Sequence, residues 1–256
     1  MTPGDIPLFL TTLSSVKVTP MRVRAGTSGY SYKEWKGHFY PEDLQGSEML
    51  GYYARQLDTV EINNTFYRMP SEKMLLGWND QVPEGFSFVL KASRRITHQK
   101  RLKEVGDELS YLLQTASVLG RKLGPILFQL PPYFRKDAVR LQEFLALFPR
   151  RMRAAVEFRH ASWFDDEVYE ALRSRNVALV VADTGGGDDV EIVSTAGHGY
   201  LRLRREHYGT GELERWAERI ASQPWDEAYV FFKHEDEGAG PRMATRFNEL
   251  SAKRAP

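Results

Sequence analysis

The chain has 256 residues, no cysteine, and 35 basic against 34 acidic side chains. That length suits one α/β barrel, for which about 250 residues is typical, and it allows a large buried core. The balanced charge argues against a domain built to coat nucleic acid. Disulfides and thiolate metal sites are excluded, and no apolar run approaches the roughly 18 residues of a membrane span.

Residues 1–20 contain a short apolar run, 6–10, without the preceding basic residue of a secretory signal. This stretch is expected to be a poorly packed extension, with 21–256 forming one barrel domain. A reducing, cytoplasmic compartment fits. The regular pattern begins with a strand over 22–27, followed by a long loop rich in glycine and aromatic residues (Gly29, Tyr30, Trp35, Gly37, Tyr40). Ser47 then caps a helix whose apolar face is Leu50, Tyr53, Ala54 and Leu57. A strand over 59–63 leads to a helix behind Pro70 and Ser71, striped by Met74, Leu75 and Trp78. The next strand covers 86–91. The helix over 107–119 carries Leu109, Leu112, Leu113 and Ala116 in period. A strand over 125–130 is stopped by Pro131-Pro132, and Leu141, Phe144, Leu145 and Phe148 mark the fourth helix. Strand five covers 154–158, a helix follows Asp165, and strand six covers 177–182.

The alternation then breaks. Residues 184–197 include consecutive glycines and no helical stripe, which predicts loop or a short stray strand. Strand seven covers 200–204, a helix carries Leu213, Trp216, Ala217 and Ile220, strand eight covers 228–233, and a last helix holds Met243, Phe247 and Leu250. Eight parallel strands and seven helices make a TIM-like (β/α) barrel in α/β class, with the outer helix after strand six missing or replaced by loop. A doubly wound open sheet is the alternative. No organic cofactor motif is present: Gly26-Thr27-Ser28-Gly29 lacks the spacing of a dinucleotide fingerprint.

The strands keep ending in polar or charged residues: Glu61 and Asn63, Lys91, Gln129, Glu157 with Arg159 and His160, Asp183, Arg202 with Arg204, and Lys233-His234. Barrel chemistry sits where strands leave the barrel. Several segments together resemble the YecE-like family, also called domain of unknown function 72. They are Gly26-Thr27-Ser28-Gly29-Tyr30, Trp35-Lys36-Gly37, Glu61-Ile62-Asn63 with Thr65-Phe66-Tyr67, Ile96-Thr97-His98, Gln129-Leu130-Pro131-Pro132, and Glu157-Phe158-Arg159-His160 with Ser162-Trp163-Phe164. The resemblance implies a TIM-like barrel and carries no established activity. The chain departs from the family pattern at Arg202-Leu203-Arg204-Arg205, where Arg-Leu-His-Gly is usual, and at Lys233-His234-Glu235-Asp236.

Residues two apart on a strand share a side, so Glu61 with Asn63 and Glu157 with Arg159 are expected to face one mouth. Glu61, Glu157 and Asp183 are the candidates for acid–base or metal-binding oxygens. Asn63, Tyr67, Lys91, Gln129, Arg159, His160 and Arg202 are the candidates for holding substrate. Arg159 stands out because a planar guanidinium matches phosphate or carboxylate at two points. The competing reading is a closed polar network in which Arg159 pairs with Glu61 or Asp183. His98 and His160 are secondary proton carriers. Tyr30, Trp35, Tyr67 and Trp163 either stack on a ligand or, more simply for Trp35 and Trp163, anchor loops. Arg150 to Arg153 read as a solvated turn at the opposite face. A divalent metal is weakly supported, because fixed cations sit among the carboxylates. The resulting expectation is an enzyme, a hydrolase among the candidates, for a small anionic or polyhydroxylated ligand. That ligand would be phosphate-bearing, a nucleotide or nucleic-acid end included, with no membrane partner. A glycoside hydrolase and a non-catalytic binding module are the alternatives.

Overall fold

A computed structural model describes residues 21–185, 190–233 and 236–253. The expected extension over 1–20 and His234 lie outside the described residues. Among the described residues nine parallel strands form one sheet, in the order β6-β5-β4-β3-β2-β1-β9-β8-β7. They are β1 (Arg22–Ser28), β2 (Thr59–Ile62), β3 (Ser87–Lys91), β4 (Leu123–Gln129), β5 (Ala154–Glu157), β6 (Ala178–Leu179), β7 (Val181–Asp183), β8 (His198–Leu203) and β9 (Glu227–Phe232). The two ends of this order, β6 and β7, are consecutive in the chain and separated only by Val180. They are the two halves of the expected strand six. The lower half pairs with β5 through Ala155–Ala178 and Val156–Leu179, and the upper half with β8 through Val181–Leu201 to Asp183–Leu203. The sheet is thus a nearly closed barrel whose wall changes partner at one residue.

Among the described residues seven helices surround it: α1 (Met49–Ala54), α2 (Glu72–Asn79), α3 (Gly106–Ala116), α4 (Ala138–Ala146), α5 (Asp166–Arg173), α6 (Thr210–Ala221) and α7 (Ala239–Ala252). Side chains at their starts satisfy first-turn amides, Ser71 accepting from Met74, Asp137 from Arg140 and Asp165 from Val168. Between β7 and β8 no helix occurs among the described residues. The chain over 190–197 instead runs against the barrel, and Thr195 Oγ1 accepts from the Leu179 amide while donating to the Val177 carbonyl. This serves the β6 backbone where a neighbouring strand is absent. Among the described residues no helix is long and apolar enough to cross a membrane.

The period-two alternation divides the strands into an outer face under the helices and an inner face. Inside, Val89, Leu127, Ala155, Ala178, Val180, Tyr200, Tyr229 and Phe231 form one apolar layer. Below it, at the amino ends of the strands, Arg24 pairs with Asp58 and Glu227, and Arg153 also reaches Glu227. The solvated turn expected over 150–153 therefore needs correction at Arg153, whose guanidinium helps close the floor. His198 donates from Nε2 to the Ala154 carbonyl, and burial pushes its pKa down to about 4, so it stays neutral there.

Candidate functional site

Two residues above the apolar layer, the same alternation brings Ser28, Glu61, Lys91, Gln129, Glu157 and Arg202 to the carboxyl-end mouth. Glu61, Glu157 and Arg202 are 0, 1 and 1 % exposed. Arg202 spans the barrel, donating from Nη2 to Glu61 Oε1 at 2.7 Å and from Nη1 to Glu157 Oε2 at 2.6 Å. Glu61 also accepts from Ser28 Oγ at 2.8 Å, Asn63 Nδ2 at 3.0 Å and Tyr200 OH at 2.6 Å. Burial alone would raise its pKa. Arg202, with the hydroxyls of Tyr200 and Ser28, outweighs that and holds it at about 2. Glu61 is thus a saturated anchor, ionised at neutral pH.

Gln129 connects the second carboxylate to the lysine. Its Nε2 donates to Glu157 Oε1 at 2.7 Å, and its Oε1 accepts from Lys91 Nζ at 2.7 Å. Lys91 Nζ also sits 4.3 Å from the centre of the Phe66 ring. Burial, then the charges of Arg202 and Arg204 working against Glu61 and Glu157, pull Lys91 down to about 8. Burial and Arg202 likewise lower Arg204. Cations are crowded here. Arg159 and Arg204 each lie 4.0 Å from Glu157 Oε1, and Arg159 keeps 41 % of its side chain exposed. His98 completes the rim. Its ring meets Phe66 edge-on at 4.9 Å, its Nδ1 lies 2.9 Å from Thr97 Oγ1, and burial, Lys91 and Arg159 lower its pKa. The segment that follows its helical turn, Arg95–Gln99, is unusual: Arg101, Leu102 and Glu104 are all left-handed, with φ of 48°, 70° and 50°. Such strain persists only where surroundings impose it.

Not every expected residue joins this constellation. Asp183 ends β7 at the right end of the barrel, but its side chain points outward. It accepts from Arg205 Nε at 2.9 Å, Tyr208 OH at 3.0 Å and the Gly185 amide at 3.0 Å. Ala182 takes the inward place. His160 caps the short turn Ala161–Trp163, its Nδ1 accepting from the Ser162 amide. Tyr67 is 73 % exposed against Phe66. Trp35 and Trp163 are buried loop anchors, the latter donating to the Phe134 carbonyl and stacking on Phe158. Arg159 neighbours Glu157 rather than Glu61 or Asp183, and Arg202 is the cation between the carboxylates. Ser28, Tyr200 and Arg204 are absent from the expected set, although Tyr200-Arg202-Arg204 shows the same two-residue spacing. Among the described residues no group of three or more His, Asp and Glu side chains gathers as a metal site.

Beside this mouth lies a cavity of about 530 Å³. It opens where β5 and β7 are not paired, and Glu157, Arg159 and Arg204 form its charged end.

A family model described as protein of unknown function DUF72 matches residues 24–256. A DUF72 family protein from Thermotoga maritima is 29 % identical and superposes with a TM-score of 0.78, covering 90 % of this chain and 98 % of that one. One from Enterococcus faecalis is 20 % identical with a TM-score of 0.75, covering 90 % and 95 %. The UPF0759 protein YecE of Escherichia coli (strain K12) is 30 % identical over 145 residues, 54 % of this chain and 53 % of that protein. UPF0759 protein YunF of Bacillus subtilis (strain 168) is 29 % identical over 147 residues, 53 % of this chain and 52 % of that protein. The chain thus matches about half the length of these curated relatives.

Proposed function

The chain belongs to the DUF72 family of proteins of unknown function, and from that premise we propose that the barrel mouth is the active site of an enzyme for an anionic, phosphate-bearing substrate. The observation that carries this reading is the charge imbalance. Lys91 and Arg202, buried, and Arg159, at the exposed rim, stand against Glu61 and Glu157, one positive charge more than these two carboxylates balance. Such an excess beside buried charges is costly unless a counter-charge arrives, and a dianionic phosphate supplies one.

In this reading Arg159 and Arg204 hold the anion and Lys91 completes its coordination. Arg202, engaged at both ends by carboxylates, positions Glu157 instead of touching ligand. Glu157 takes the role of orienting group or base. Lys91, with a pKa of about 8, is the group able to exchange a proton near neutral pH. Hydrolysis of a phosphate ester, a nucleotide or nucleic-acid end included, is one reaction these parts serve, in a cytoplasmic setting. Glu61, held at about 2, does not suit the part of the protonated acid that a glycosidase needs.

The test is thermal melting in inorganic phosphate or sulfate against chloride at matched ionic strength. Phosphate should raise the melting temperature, by the equivalent of about 2.7 kcal/mol at one hundred times the dissociation constant. Arg159→Leu should melt close to the unmodified protein without ligand, because the side chain is exposed, and should lose the phosphate response. A melting curve indifferent to phosphate, or a variant that keeps the full response, removes the anion site.

A further inference from the structure

The cavity beside the mouth has walls that the anion reading does not use. Its position follows from the break at Val180. Above the Val156–Leu179 pair, β5 has no partner on that side, because β7 pairs only with β8. Helices normally cover such a seam, yet the chain over 190–197 takes the place of one. The result is a slot through the barrel wall. Residues from both faces line it: Val180 and Ala182 from inside, Leu179 and Val181 from outside, Tyr169 from α5 and Val193 from the segment that replaces the helix.

The chemistry of the slot is divided. Its inner end is Glu157 with the Arg159 and Arg204 guanidiniums. Its remaining walls are mostly apolar and include Phe158, stacked on Trp163 at 4.6 Å, and Phe164, which is 48 % exposed. Thr184 and the exposed Glu191 are the polar exceptions. A pocket that joins apolar walls to a few convergent charges is typical of small-molecule sites, which run to about 300–1,000 Å³. A purely polar ligand such as a sugar phosphate would leave these walls wet and unused.

We infer that the substrate is an amphipathic organic anion: its phosphate or equivalent group meets Arg159 and Arg204, and a flat apolar group of aromatic size fills the slot between β5 and β7. This rests on the anion reading and narrows its substrate class. Glu191, also in the lining, disfavours a second anionic group, so one charged end and one uncharged ring system is the matching pattern. A free phosphosugar is the wrong class.

Calorimetric titration with three probes tests this: inorganic phosphate, ribose 5-phosphate and 1-naphthyl phosphate. The unmodified protein should bind naphthyl phosphate at least ten-fold tighter than either of the others. Ala182→Phe, which fills the slot from inside, and Val193→Trp, which fills it from the replacing segment, should bring naphthyl phosphate to within two-fold of inorganic phosphate. Phosphate binding itself should stay unchanged in both. Two fillings from opposite sides keep the result readable if one variant fails to fold. Equal affinity for all three probes in the unmodified protein overturns the slot and leaves the anion site standing. A ten-fold preference that survives both fillings also overturns it. Failure of every probe to bind overturns the slot and the anion site together.

Discussion

Arg202→Leu is expected to be the most damaging single substitution at the mouth, costing about 3–5 kcal/mol. The reason is geometric. Arg202, Glu61 and Glu157 are almost wholly buried, and one guanidinium neutralises both carboxylates at 2.6–2.7 Å. Removing it leaves two buried anions, with Lys91 reaching Glu157 only through Gln129. At about 2–4 °C per kcal/mol for a domain of this size, the melting temperature should fall by roughly 6–20 °C. The loss should also depend on pH. In the intact protein Glu61 has a folded pKa of about 2, below its ordinary value of 4.5. A depressed carboxylate contributes stability above the unfolded value, and that stability disappears as pH falls through the folded one. The gap between the two proteins should therefore be full at neutral pH and narrow between about pH 4.5 and 2. Denaturant titrations across that range measure it. A variant within about 1 kcal/mol of the parent at pH 7 would show that the three groups do not form the network described.

Lys91→Met should have the opposite sign. Burial and the nearby guanidiniums hold Lys91 at about 8, against an ordinary 10.5. Its charge is thus disfavoured in the folded state. Below pH 8 both states carry the proton and the folded state bears the whole penalty. Between 8 and 10.5 the unfolded chain binds more proton, so stability of the parent rises with pH. The methionine variant carries no such penalty. It should be more stable at pH 7, by an amount on the order of 3 kcal/mol, since a tenfold change in proton affinity is worth about 1.4 kcal/mol. Loss of the bond to Gln129 reduces this gain by about 1 kcal/mol. The advantage should shrink steadily from pH 8 to 10.5. A difference that stays constant from pH 7 to 11 would contradict the depressed lysine. A stabilised protein that has lost phosphate binding would mark Lys91 as a residue kept for function at the expense of stability.

Much of this was legible in the chain itself. Apolar runs that stop at Glu61, Lys91, Gln129 and Glu157 are a local property, set by the need to bury a strand between core and helices while its end meets solvent or ligand. The spacing of Glu61 with Asn63, and of Arg202 with Arg204, fixes shared faces because the strand repeat is two. That no helix follows strand six among the described residues was legible as well, since 184–197 has no apolar stripe to dock one.

Other features required the assembled barrel. Strand six is apolar on both faces, so its alternation cannot tell whether Ala182 or Asp183 looks inward. That is decided by β7 pairing with β8, which turns Asp183 toward Arg205 and Tyr208. Nor does the sequence say which arginine lies between the carboxylates. Glu61 and Glu157 meet Arg202 from 141 and 45 residues away, distances in sequence that only barrel closure converts into contact. Arg159, two residues beyond Glu157 and past the end of β5, is left at the rim. The slot is the clearest case of this kind. Its walls come from β5, the break at Val180, α5 and the segment over 190–197, and none of these pieces is a cavity alone. Strand composition sets which residues reach the mouth. Pairing partners and closure set which charges neutralise one another, which stay available to a ligand, and where the wall is left open.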